Sequence, residues 1–259
     1  MKVKTNQKLN FIAITKKLIK FQGDNESYSL FQFYSFVSGT QYWKLYQLVS
    51  KYIPANGELL DWGCGNGHFS YASILLGYQT SGFSFDLFLL TKYLKEHLDY
   101  KFCQGNSQEP TVLPYADESF DAVTSVVVIE HVRETGGNES DSLRQINRVL
   151  KSDGYFICYH LPNQFSWIEF VNSFLPHKHH HTYRYTKSQI EALFIESGFK
   201  IIEIYRYGFL PRNILGKLPN SMKYSTIFPK IYNICDNILS FLFSIVCQNY
   251  VIVARKVSD

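Results

Sequence analysis

Leu59-Leu60-Asp61-Trp62-Gly63-Cys64-Gly65-Asn66-Gly67-His68-Phe69 is the stretch that decides the fold. A short apolar run meets a turn with glycine at every second position, and an apolar helical pattern resumes behind it. Glycines so spaced let the backbone turn sharply and lie against a ligand where a Cβ would stand in the way. The helix that follows presents unpaired N–H groups to the polar end of that ligand. A phosphate loop would carry Lys and Ser or Thr after the glycines, where this chain has His68 and Phe69. A dinucleotide fold would space them G-x-G-x-x-G, whereas the spacing here is G-x-G-x-G.

Strands and helices alternate outward from this turn. Strands are expected over Glu58–Trp62, Gln79–Phe85, Tyr100–Gln104, Phe120–Ile129, Gly154–His160, Phe199–Tyr207 and Asn249–Lys256. Helices are expected over Gly67–Leu76, Leu87–Leu98, Ser140–Leu150 and Lys187–Glu196, the last with Gly198 as its cap. This order predicts a parallel, doubly wound α/β sheet with ligands at the carboxyl ends of its strands. Residues 1–54 read as an aromatic-rich helical cap, 55–210 as the core, 211–248 as a helical insertion and 249–259 as a last core strand. In the insertion Ile231, Ile234, Ile238, Phe241, Leu242 and Ile245 share one helical face, with Asn233, Asn237, Ser240 and Ser244 on the other. The expectation is an insertion between the last two strands that packs over the substrate side as a lid.

The composition is that of a soluble globular protein, with 46% hydrophobic and 19% charged residues. Aromatic residues make up 17%, a surplus that suits core filling and a pocket for an apolar or planar ligand. The net charge of +4 is spread along the chain, so no nucleic-acid partner is expected. Cys64, Cys103, Cys158, Cys235 and Cys247 are odd in number and widely spaced, which points to reduced thiols and a cytoplasmic protein. No signal peptide is read at the N-terminus. Nothing in the chain fixes an oligomeric state.

The turn resembles the first motif of the class I S-adenosylmethionine-dependent methyltransferase family, in particular its type 11, ubiquinone-biosynthesis-like small-molecule enzymes. The resemblance covers roughly residues 55 to 205. A carboxylate before the turn would repel a pyrophosphate but suits the cationic sulfonium amino acid of that cofactor. The resemblance implies a Rossmann-like, mostly parallel seven-stranded sheet with an antiparallel last strand, N-terminal helices and a helical insertion before that strand. It also implies that Asp61, Gly63, Cys64 and Gly65 contact S-adenosyl-L-methionine, Asp61 through its amino group. The family's ribose-binding acid falls on Ser84 in Gly82-Phe83-Ser84-Phe85-Asp86, so Ser84 or Asp86 would hold the ribose, with Phe85 between them. Alternatively Asp86 caps the next helix. Gly105-Asn106-Ser107 stands where the family has Gly-Asp-Ala, which places Asn106 and Ser107 at the adenine unless Asn106 is a turn residue. Leu113 to Val123, Ile129-Glu130-His131-Val132 and Leu143 to Gly154 match the family in order and separation, with Val127 also at the cofactor.

Methyl transfer to a hydroxyl needs alignment of the acceptor and removal of its proton. His131 after the fourth strand and His160 at the end of the fifth are the candidate bases. The run His177-Lys178-His179-His180-His181-Thr182-Tyr183-Arg184 follows the fifth strand, and His180, His181, Tyr183 and Arg184 are the candidate substrate residues. Adjacent histidines on one extended segment rarely converge on one ion, so no metal is expected. Residues 237–254 lack a formal charge, but Gln248-Asn249 interrupts them and favours helix then strand over a membrane span. Weak peripheral membrane contact stays open. The reading is an enzyme methylating, most simply on oxygen, a small-molecule, sugar-containing or lipid-like acceptor. The alternatives are a non-catalytic cofactor-binding partner subunit and a nicotinamide oxidoreductase.

Overall fold

In the strand before the glycine turn Leu59, Leu60, Asp61 and Trp62 are all buried, the mark of a central strand covered on both faces. The computed structural model describes residues 10–25, 30–176, 178, 180–212 and 214–257. The strands are β1 (Glu58–Trp62), β2 (Gln79–Ser84), β3 (Lys101–Gln104), β4 (Phe120–Val126), β5 (Leu150–Pro162), β6 (Phe199–Tyr207) and β7 (Asn249–Lys256). They form one seven-stranded sheet in the order β3-β2-β1-β4-β5-β7-β6. Only β7 runs antiparallel, paired with β5 and β6. The winding reverses between β1 and β4, and there the crevice at the carboxyl ends of the strands opens.

Alternate residues of each strand feed opposite cores. Leu59, Ala122, Ile157 and Val253 face one layer, made by α1 (Phe11–Asp24), α2 (Phe36–Gly39), α3 (Trp43–Tyr52), α4 (His68–Leu75) and α5 (Leu89–His97). Leu60, Val123, Phe156 and Ile252 face the other, where α6 (Glu139–Val149), α7 (Trp167–Ser173) and α8 (Lys187–Glu196) follow in sequence and α6 and α8 supply Leu143, Ile146, Ile190 and Phe194. The N-terminal helices are therefore half of the core. Asn10 caps α1, Trp43 donates to Thr15 Oγ1 at 2.9 Å, and Tyr159 of β5 donates to the Gln41 carbonyl at 2.6 Å.

Several boundaries differ from expectation for physical reasons. The strand expected to reach Ile129 ends at Val126, because Val127 takes a left-handed φ of 60° and a single 3-10 turn follows over Ile129–His131. Helix α5 begins at Leu89 with Phe88 at its cap position, so Asp86 does not cap it. Strand β5 extends beyond Gly154–His160 at both ends, and α7 forms in the loop behind it.

The insertion holds the short α9 (Asn220–Lys223) and α10 (Phe228–Leu242). The polar face of α10, not its apolar face, packs inward. Asp236 and Ser240 are buried, whereas Ile231, Ile234, Ile238, Phe241, Leu242 and Ile245 are 55% to 84% exposed. The chain leaving β6 needs donors and acceptors. Leu210 N–H donates to Asp236 Oδ1 at 2.8 Å, Phe209 N–H to Ser240 Oγ at 3.2 Å, and Arg212 pairs with Asp236 Oδ2 at 2.8 Å. Asn233 accepts from Arg212 and donates to Thr40 Oγ1, which ties the helix to the end of α2. Buried backbone groups and a half-buried guanidinium set the orientation that apolar periodicity alone would invert.

Removing one partner of that ion pair leaves the other charge buried. Asp236→Ala should cost about 3–5 kcal/mol in urea denaturation, with hydrogen-exchange protection lost first in α10. A loss under about 1 kcal/mol would show that the helix is held by other contacts.

Candidate active site

The backbone of the turn is built against β2. Gly63 N–H and Cys64 N–H both donate to the Phe83 carbonyl, at 2.8 and 2.9 Å. Gly63 has φ of 72°, and a Cβ there would stand 2.4 Å from a Val128 methyl. Gly65 has φ of 45°, yet a Cβ there would meet nothing nearer than the Gly63 carbonyl at 3.8 Å. The first glycine thus serves packing, and the second opens onto free space at the mouth of the crevice. Below the turn Asp61 is 1% exposed and accepts from Ser70 Oγ at 2.6 Å, with Tyr100 Oη 3.1 Å from the same hydroxyl. Among the described residues no cation pairs with this carboxylate. Burial pushes it up to about 7 against the pull of the Ser70 hydrogen bonds. The neighbouring Cys64 thiol is pushed by burial up to about 12, which leaves it no thiolate character near neutral pH.

The ends of β2 and β3 form one side of the crevice. Ser84 turns its hydroxyl onto the Asp86 carbonyl, and the Asp86 side chain is exposed. Phe85 is half-buried, and its ring with that of Phe83 covers Gly105, where a Cβ would approach both to 2.8 Å. Asn106 and Ser107 are exposed, and Asn106 Oδ1 accepts from Gln108 N–H at 3.0 Å as a turn residue does. On the other side Val127 is 38% exposed and donates its N–H to the Tyr159 carbonyl. A β-branched residue at positive φ is uncommon, and such strain gathers at functional sites.

His160 shows the same feature. It is the extra residue of a bulge where the β5–β7 register slips between Tyr159 and Leu161, and its φ is 64°. The bulge puts the imidazole among Tyr42, Tyr159 and Tyr207, with Tyr207 Oη 2.8 Å from Nδ1. Its Nε2 is buried without a hydrogen-bond partner. Burial, with help from Arg212, drives the ring down to about 3. Tyr42 joins it to His68, whose ring lies 4.5 Å away and whose Nε2 is likewise buried and unpartnered. Burial holds His68 down at about 4. Sequence reading took Tyr42 as helix packing and His68 only as a contrast to a phosphate loop; it passed over Tyr207. His68, first in the helix behind the glycines, was the one available signal.

A second cluster gathers at the exit of β4. His131 Nδ1 lies 2.9 Å from Glu134 Oε2. His181 Nδ1 lies 3.0 Å from Glu169 Oε1, and its backbone N–H donates to Oε2 of the same group. The two imidazoles stand 5.7 Å apart. Glu130 beside them is 2% exposed with Oε1 unpartnered, and burial raises it to about 7. Burial would lower His181, but its bond to Glu169 outweighs this and raises it, while Glu169 is held low despite its own burial. Of the expected substrate residues, His181 therefore joins His131 and not His160. Tyr183 is half-buried under Arg133, Arg184 has a buried Nε without a partner, and His180 is exposed. His177 and His179 lie outside the described residues.

Comparison with known proteins meets this geometry. Residues 60–158 match the model of a methyltransferase domain family. By that match the stretch is a methyltransferase domain. A S-adenosylmethionine-dependent methyltransferase from Methanosarcina mazei superposes with TM-score 0.54 at 16% identity, over 82% of this chain and 98% of its own. One from Archaeoglobus fulgidus does so with TM-score 0.54 at 19% identity, over 82% and 91%. Phosphoethanolamine N-methyltransferase 2 of Haemonchus contortus, solved with phosphomonomethylethanolamine and S-adenosylhomocysteine, gives 0.57 at 17%, over 97% of this chain and 61% of its own. No curated protein matches the sequence. At these identities the structures show a shared fold.

The methyltransferase cofactor fits the site as built: a buried carboxylate without a counter-ion lies below a turn whose middle glycine faces open space. The two glycines should respond differently. Gly63→Ala combines positive φ with overlap on Val128 and should lose about 3 kcal/mol of stability. Gly65→Ala bears only the strain of its φ and should lose about 1–2 kcal/mol. Equal losses in urea denaturation would contradict the packing role of the first.

Proposed function

We propose that this methyltransferase transfers the methyl group of S-adenosylmethionine to an oxygen of a small, lipid-like acceptor. The observation that supports the cofactor half is Asp61. Its buried carboxylate awaits a cation, and the amino group of the methionine moiety supplies one. Gly63, Cys64 and Gly65 line that end by their backbone. Phe85, Asn106, Ser107 and Val127 flank the adenosine, with Asp86 rather than the occupied Ser84 hydroxyl at the ribose. When bound, the cofactor supplies the electrophilic methyl. The chain's own residues align the acceptor and take its proton. His160, held far below neutrality, is too weak a base for a hydroxyl and serves as a hydrogen-bond partner in the aromatic wall of Tyr42, Tyr159 and Tyr207. The proton is taken instead at the cluster behind β4, where Glu134 sits on His131.

The sign of the pH dependence follows from Asp61. Below about pH 7 the free protein holds a proton on Asp61 that the cofactor's cation must expel. Affinity for S-adenosylmethionine should therefore fall as pH drops, by up to about tenfold per unit, and level off above pH 7. Asp61→Asn should weaken binding and flatten the profile in calorimetry. An unchanged slope in the variant would remove Asp61 from the cofactor site.

The lipid-like character of the acceptor is supported by the outer surface. The exposed face of α10 runs from Ile227 through Ile231, Ile234 and Ile238 to Phe241. The Phe243 ring lies tilted against Phe209 at 5.3 Å, and Phe209 lies tilted against Trp167 of α7 at 5.7 Å, where Phe170 and Phe174 are also exposed. Lys178 just beyond α7, Lys217 before α9 and Lys230 on α10 are exposed, while Glu169 of α7 and Asp236 of α10 are buried. An apolar face among unopposed cations suits an anionic bilayer surface. Among the described residues no helix is long and apolar enough to cross a membrane. The protein should co-sediment with phosphatidylglycerol vesicles and not with phosphatidylcholine vesicles, and Ile234→Asp with Phe241→Asp should abolish this. Failure to bind either vesicle would overturn the membrane contact.

A further inference from the structure

We infer that Glu130, His131 and His181 form a binding site for one divalent transition-metal ion. Each offers a ligand atom, and the three atoms lie within 4.8 Å of one another. An ion at about 2.0–2.1 Å from imidazole nitrogen draws them closer still. The set comes from two segments, the 3-10 turn behind β4 and the loop behind α7, so the objection to neighbouring histidines on one strand does not apply.

Three features distinguish the cluster from a chance meeting of polar side chains. Glu130 is buried with an oxygen that no group among the described residues satisfies, an arrangement that costs free energy unless a ligand completes it. Both histidines have a carboxylate at Nδ1, Glu134 on His131 and Glu169 on His181. That is the outer support by which proteins fix the tautomer of a metal-binding imidazole and turn Nε2 toward the ion. Two imidazoles and one carboxylate also suit Mn²⁺, Fe²⁺, Co²⁺ or Zn²⁺ rather than Mg²⁺ or Ca²⁺, and three protein ligands leave positions open.

The location gives the ion a use. The turn that supplies Glu130 and His131 also packs Val128 on Gly63 of the cofactor turn. An ion held here stands beside the methyl-transfer crevice. With it bound both nitrogens of His131 are engaged, so an acceptor oxygen on the ion is the more easily ionised and gives its proton to Glu134 or to water instead of to His131. This role rests on the proposed oxygen methylation; the site itself does not.

Chelator-stripped protein titrated with Co²⁺ should bind one equivalent per chain, read from visible absorption and calorimetry. Glu130→Gln, nearly isosteric, should weaken binding at least about tenfold while keeping S-adenosylmethionine affinity in metal-free buffer. Glu169→Gln, a positioning change, should weaken Co²⁺ binding without removing a ligand, and His97→Ala, at an exposed histidine outside the cluster, should leave it unchanged. Absence of saturable Co²⁺ binding overturns the proposal. So does wild-type Co²⁺ affinity in Glu130→Gln, which would put the ion on the histidine-rich loop. Loss of S-adenosylmethionine binding by the wild-type protein would instead strike the cofactor reading.

Discussion

The contact between Gly63 and Val128 is the constraint on which the rest of the crevice depends. The turn behind β1 bends left-handed because two of its N–H groups share the Phe83 carbonyl, and the bend leaves room only for Val128 against Gly63. Beside that packing β4 ends at Val126 and Val127 takes a left-handed φ of 60°. The short turn that follows then delivers Glu130 and His131 at the rim. One steric fit between two strand ends thus positions both the cofactor turn and the second cluster. It also sinks Asp61 beneath the turn, where it is nearly without solvent contact.

Burial without compensation is a recurring device of this crevice. Among the described residues Asp61 lacks a cation, Glu130 lacks a partner for Oε1, and His68 and His160 each leave Nε2 unsatisfied. Buried polar atoms are almost always paired in folded proteins, so a group of orphans at one end of one sheet marks where ligands complete the structure. The two imidazole sites also divide the chemistry. His68 and His160, lined by aromatic rings, remain neutral and can only donate or accept hydrogen bonds. His131 and His181 are each backed by a carboxylate at Nδ1, Glu134 and Glu169.

The insertion follows a different logic. Its inner face is chosen by hydrogen bonds to the chain leaving β6 and by the Arg212–Asp236 pair, which frees an apolar stripe for the outside. A helix docked by its polar face is unusual in a water-soluble protein, where the apolar face is expected inside.

The sequence by itself determined the doubly wound sheet, because strand burial and helical periodicity are local patterns that few other folds satisfy. It also determined the glycine turn behind β1, whose glycines and preceding carboxylate are adjacent in the chain. Tertiary structure alone decided which face of α10 turned inward, since that rests on Arg212 and the backbone of Leu210 some 24 to 26 residues before Asp236. It alone joined His181 to Glu130 and His131, which no spacing along the chain reveals. It also set His160 on a bulge among tyrosines drawn from three distant segments, making a weak base of a histidine that looked catalytic. Periodicity records what a residue prefers to face; only the folded chain supplies the partners that overrule it.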